Sequence, residues 1–202
     1  MKKIAIKKGF TISNILKKNN LRALGIVFGI TILAATILNV LVLLSVYISN
    51  YIPGNLATIT LAAAIILSLA VMPKILYKKI DGYDYQIKLR PVSVVLIVIL
   101  SLVLIQFVEF NLIIHFLAIG ISEEILFRDL HLSYLQEKIG TLSSVIITSL
   151  LFALILHMGE SLLINLLVRF PIGLILSMIR IKLGLAEAIG AHWLYDVLVT
   201  II

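Results

Sequence analysis

Long runs of Leu, Ile, Val and Ala alternate along this chain with short stretches of charge or of Pro, Gly and Asn. This pattern predicts six or seven helices. The first covers roughly 22–49 and closes in the uncharged turn Ser49-Asn50-Tyr51-Ile52-Pro53-Gly54-Asn55. The second covers roughly 56–77, and a polar loop from Lys78 to Arg90 follows, closed by Pro91. The third is expected over roughly 92–108, and the fourth begins near Asn111. A fifth runs over roughly 142–157, and a sixth over roughly 161–180 with an interruption at Pro171. The seventh runs from about residue 185 to the C-terminus.

Composition turns this all-α reading into a membrane one. Of the 202 residues, 61% are hydrophobic, against about 45–50% in soluble domains. A chain of this length cannot bury so much apolar surface in a soluble fold. The expected architecture is a single polytopic transmembrane helix bundle over 1–202 with a polar intramembrane cavity. With no cysteine, disulfides, thiolate metal sites and a cysteine nucleophile are excluded.

The net charge of +7 sets an orientation. Lys2, Lys3, Lys7, Lys8, Lys17, Lys18 and Arg22 precede the first apolar run without an acidic residue among them. They read as a flank held by anionic lipid, not as a nucleic-acid arm. Further basic residues crowd the 74–90, 128–138 and 180–182 stretches, which are alternate connections. Those sides, and the N-terminus, are expected to be cytoplasmic, with the chain in a plasma membrane. A signal peptide is not expected: the run from about Leu24 to Ile48 is too long, and no small-residue cleavage site closes it.

Chemistry is concentrated in a few polar residues inside apolar helices. Glu123 and Glu124 stand in a strongly apolar stretch, where a carboxylate costs on the order of 2.5–3.5 kcal/mol on insertion scales. Glu124 and Arg128 are four apart and stack on one helix face, the favoured order for an ion pair. Glu123 lies about 100° around the helix from Glu124. Arg128 therefore fixes Glu124, while Glu123 stays available as a general base. His192 and Asp196 are also four apart, so the aspartate can orient the imidazole. His157 stands at a helix end, and His115 and His131 have no partner at helical spacing and read as structural. Arg169, near mid-helix, needs either an acidic partner or a substrate carboxylate. Helical rise puts Glu123 about 12 Å and His192 about 10 Å from the cytoplasmic face, with His157 at about 21 Å.

Glu123-Glu124-Ile125-Leu126-Phe127-Arg128, a histidine one helix later, and His192-Trp193-Leu194-Tyr195-Asp196 together resemble the CPBP family. These are the CaaX-protease and bacteriocin-processing intramembrane proteases, also called Abi. The resemblance covers roughly 92–202; residues 1–91 carry no signature. It implies an intramembrane endopeptidase acting on a peptide or membrane-tethered substrate, in bacteriocin or peptide maturation or in immunity. Glu123 would be the base, His157 would position the water, and His192 with Asp196 would line an oxyanion site. Glu124 and Arg128 would support them. The family pattern is Phe-x-x-x-His, whereas Phe152 and His157 are five apart. On a regular helix that separates them by about 140°, so either a local bulge restores the geometry or Phe152 is not the family phenylalanine.

The reading favours glutamate-activated water with no cofactor. The alternative is a zinc ion held by Glu123, His157 and His192, although their spacing is not that of an HExxH helix. Competing functions are a non-proteolytic immunity or binding protein, an ion-coupled carrier, and a hydrolase of lipid or acyl substrates. No nucleic-acid partner is expected.

Overall fold

A computed structural model describes residues 17–201. The basic stretch from Lys2 to Lys8 lies outside them. Among the described residues the fold is all-α, with seven continuous helices and no strand. They are α1 (Lys18–Ser49), α2 (Gly54–Asp81), α3 (Pro91–Leu104), α4 (Phe110–Ile139), α5 (Thr141–Leu156), α6 (Leu162–Lys182) and α7 (Leu185–Ile201). α1, α2, α4 and α6 are long and apolar enough to cross a membrane, while α3 and α5 are shorter apolar helices.

Tight connections hold the bundle in register. α4 passes to α5 through the single residue Gly140, whose φ of 84 is open to glycine and strained for other side chains. The N-terminal half of α4 packs on α2 and α7, its C-terminal part on α5, and α6 lies against α5 and α7. α3 buries none of its residues and touches the bundle along α7.

Four helices contain a wide turn in which the hydrogen bonding slips to i→i+5: Leu67–Val71, Ile125–His131, Phe152–Leu156 and Asn165–Arg169. Two of these explain how prolines are carried. Pro73 and Pro171 lack an N–H, and each follows a wide turn ending two residues earlier. The expected interruption at Pro171 is therefore corrected: α6 absorbs the proline by widening and runs on to Lys182. The other two wide turns lie beside the candidate site.

Polar groups at one end tie the helices together. Asp81, at the end of α2, meets Arg22 at 3.3 Å and Lys138 at 3.9 Å, and accepts from Tyr134 Oη at 2.9 Å. Glu187, at the start of α7, accepts from Ser93 at 2.7 Å and pairs with Arg90 at 3.4 Å. Arg22, Lys138 and Arg90 pair with these two carboxylates, and Arg180 donates to Tyr85, so basic residues from several connections meet at that end. Deeper in, fully buried His131 joins three helices, bonding Thr31 Oγ1 at 2.9 Å and Tyr77 Oη at 2.8 Å. Both partners are far away in sequence, which is why helical spacing showed none.

Candidate active site

Close helix contact brings the glutamates to the histidine. Gly120 on α4 faces the α7 backbone so closely that an added Cβ would lie 3.3 Å from Trp193 N and 3.5 Å from Ile189 O. Glycine there lets α4 settle onto α7. Trp193, fully buried on the same contact, donates from Nε1 to Ile113 O at 3.3 Å. One turn along, the carboxylates of α4 face the imidazole of α7.

His192 is 3% exposed and sits among three carboxylates. Its Nδ1 donates to Glu124 Oε1 at 2.9 Å. Its Nε2 faces Glu123 Oε2 at 3.8 Å and Asp196 Oδ2 at 3.6 Å. The expected ion pair is present: Arg128 Nη1 lies 3.5 Å from Glu124 Oε1, with both side chains fully buried. Glu123 Oε2 and Glu124 Oε2 are both buried without a hydrogen-bond partner among the described residues. One assignment shifts. The carboxylate within hydrogen-bonding reach of the imidazole is Glu124 on the neighbouring helix, while Asp196 on its own helix stands further off.

Phe152 connects the second histidine to this group. Its ring lies 5.3 Å from that of His157 and 5.7 Å from that of His192, both nearly edge-on. The Arg128 guanidinium caps the same ring at 4.3 Å. The wide turn Phe152–Leu156 makes the contact with His157 possible. In a regular helix residues five apart diverge, whereas an i→i+5 turn stacks them. The extra residue between Phe152 and His157 is thus taken up by a bulge, the first of the two readings left open by the spacing.

His157 is anchored as well. Its carbonyl accepts from Asn165 Nδ2 at 2.9 Å, and its Nε2 is buried with no hydrogen-bond partner among the described residues. Asn165 is 3% exposed. A Cβ added at Gly173 on α6 would lie 3.0 Å from Ser149 Cβ and 3.3 Å from Phe152 Cδ1, so glycine there lets α6 close over α5. Spacing gave no warning of Gly120 or Gly173, whose roles arise between helices.

Arg169 has the acidic partner that its depth demanded. Nε donates to Glu160 Oε2 at 3.1 Å and Nη2 to Oε1. This two-pronged pair ties α6 to the α5–α6 connection. Glu160, in that connection, is held below its ordinary carboxylate pKa by the Arg169 hydrogen bonds.

A zinc ion on Glu123, His157 and His192 does not fit this geometry. Among the described residues no group of three His, Asp or Glu side chains is arranged to hold a metal ion.

Residues 105–198 match the family model for type II CAAX prenyl endopeptidases, Rce1-like. The match starts just before α4, ends within α7, and includes every residue described in the site. Over this segment the chain is similar to that family, in line with the resemblance its motifs carry. No curated protein and no solved structure matched the chain.

Proposed function

We propose that this protein is a membrane-embedded endopeptidase that hydrolyses a peptide bond with water activated by Glu123. The observation that carries the proposal is the His192 imidazole set between two adjacent glutamates, one bonded to it and one left unpartnered. Glu123 takes a proton from water as the water attacks the scissile carbonyl carbon. His192, protonated on both nitrogens, keeps Nδ1–H on Glu124 and offers Nε2–H to the developing oxyanion. Glu123 then returns the proton to the leaving nitrogen as the C–N bond breaks. His157 Nε2 is the second group available to hold the water or the carbonyl oxygen. Asp196 stands beside Nε2 and restrains the ring. Arg128 and Phe152 form the support behind the imidazole. Arg169 is outside the chemistry because Glu160 already holds its guanidinium.

The substrate class comes from the matched family, whose description names CAAX prenyl endopeptidases. The proposed substrate is a polypeptide held in the bilayer by a lipid group near its C-terminus, with peptide maturation as its setting. The purified protein in nanodiscs would be given a farnesylated C-terminal peptide and its unlipidated counterpart, with products read by mass spectrometry. The lipidated peptide is expected to yield a cleaved product, formed about 10²–10⁴-fold more slowly by Glu123→Gln protein that remains folded. Intact peptide bound by wild-type protein would instead favour the non-proteolytic binding or immunity reading.

A further inference from the structure

A second polar pocket lies behind the site, at the end of the bundle where the basic connections gather. It is a cavity of about 150 Å³ whose lining includes Tyr85, Arg128, Leu132, Ser133, Gln136 and Arg180. At roughly 30 Å³ of liquid volume per water it has room for about five waters. Arg128, Leu132 and Gln136 recur every four residues and so share one face of α4. Tyr85 comes from the α2–α3 connection and Arg180 from the last turns of α6.

The unmet hydrogen-bonding capacity of these lining residues is on donors. Arg128 is 0% exposed, yet Nε, Nη1 and Nη2 make no hydrogen bond among the described residues. Its Glu124 contact is an ion pair at 3.5 Å and its face rests on Phe152. Arg180 Nε and Gln136 Nε2 are likewise buried without hydrogen-bond partners. Arg180 spends Nη2 on Tyr85 Oη at 2.9 Å and on Asp129 Oδ1 at 2.6 Å. Asp129 and Glu124 thus offset the two guanidinium charges, and Asp129 Oδ2 is the nearby unpartnered acceptor. Neither carboxylate uses the remaining donors. A buried guanidinium with idle N–H groups is costly, and its planar fork matches an oxyanion.

We propose that this cavity binds a phosphate-class oxyanion, supplied either by an anionic lipid headgroup or by a soluble anion, held by Arg128, Arg180 and Gln136. Its position near the ends of α4 and α6 places it where headgroups would lie, and basic pockets between membrane helices suit such groups. Arg128 also touches Glu124 and Phe152, so an occupant would rest directly behind the group that holds His192.

The test is thermal unfolding of the purified full chain, which does not depend on any cleavage assay. In neutral detergent, inorganic phosphate is titrated against chloride at matched ionic strength. In parallel, nanodiscs of phosphatidylcholine are compared with discs containing phosphatidylglycerol. The expected result is a saturable rise in Tm with phosphate, with phosphatidylglycerol, or with both, since a ligand bound to the folded state stabilises it. A response in the first arm alone identifies a soluble anion, and in the second alone a headgroup. Gln136→Glu places a carboxylate against the guanidinium groups, and Ser133→Leu fills the space. Each is expected to abolish the rise, and either suffices if the other fails to fold. No rise in either arm, or an equal rise in wild type and both variants, would overturn the proposal.

Discussion

His192 Nδ1 donates to Glu124 at 2.9 Å, and Arg128 lies 3.5 Å from the same carboxylate oxygen. Glu124 is therefore shared between a histidine on α7, which packs against α4, and an arginine on its own helix. The shared oxygen fixes the ring so that Nε2 faces Glu123 and Asp196. Two roles meet in one side chain: orienting the imidazole, and countering a fully buried guanidinium.

Those roles separate by mutation. Glu124→Gln is expected to lower kcat by about 10–100-fold, the usual effect of losing a group that orients a functional imidazole. It should also destabilise the fold by about 3–5 kcal/mol, because Arg128 loses its counter-charge in a buried setting. Adding Arg128→Gln should recover part of that stability and none of the rate. Asp196→Asn should cost less rate than Glu124→Gln, since its contact is longer. Unfolding midpoints and kcat measured on wild type and the three variants check the ordering.

The glutamate pair, the ion pair and the last-helix histidine were legible because i, i+4 spacing survives folding unchanged. The seven helices were legible for a similar reason, since their ends are marked by charge, Gly and Pro. What spacing could not reveal is contact across helices. His192 draws its bonded carboxylate from α4, His131 finds Thr31 and Tyr77 on α1 and α2, and Gly120 is needed by α7. Nor does a regular helix wheel anticipate wide turns. Pro171 therefore read as an interruption, and the five-residue gap to His157 stayed open between two geometries.

The wide turn at Phe152–Leu156 makes a prediction about chain length. Deleting Ile155, which is not fully buried, should let the turn relax to a regular helix while Phe152 and His157 stay stacked at four-residue spacing. Activity is expected to stay within about tenfold of wild type. Inserting an alanine after Ile155 should instead rotate His157 away and cost about 100-fold or more, as small misplacements of reacting groups do. Cleavage rates of the two variants, with Tm as the folding control, decide it. Equal losses in both would remove the role given to the turn.

Glu160 provides a pH signature. Its folded pKa is lowered by Arg169, so the ionised form is the one that the fold prefers. Stability from this pair is present above the ordinary value of 4.5 and is lost as pH falls through the lowered folded value. The pair is part-exposed, with side chains 24% and 37% accessible, so its contribution is modest and sensitive to salt. Glu160→Gln should lower Tm slightly at pH 7, and the gap from wild type should close as pH is taken well below 4.5. A gap that persists unchanged in acid would contradict the pairing.

The central claim is that Glu123 activates water for peptide hydrolysis, and oxygen-isotope transfer tests it most directly. Cleavage of a membrane-tethered peptide would be run in H2¹⁸O, with the new C-terminal carboxylate read by mass spectrometry. Wild-type protein should place one solvent oxygen in that carboxylate. Folded Glu123→Gln protein should form the product more slowly by a factor of about 10²–10⁴, the usual contribution of a general base. Undiminished, labelled product from Glu123→Gln would show that another group activates the water and would contradict the account.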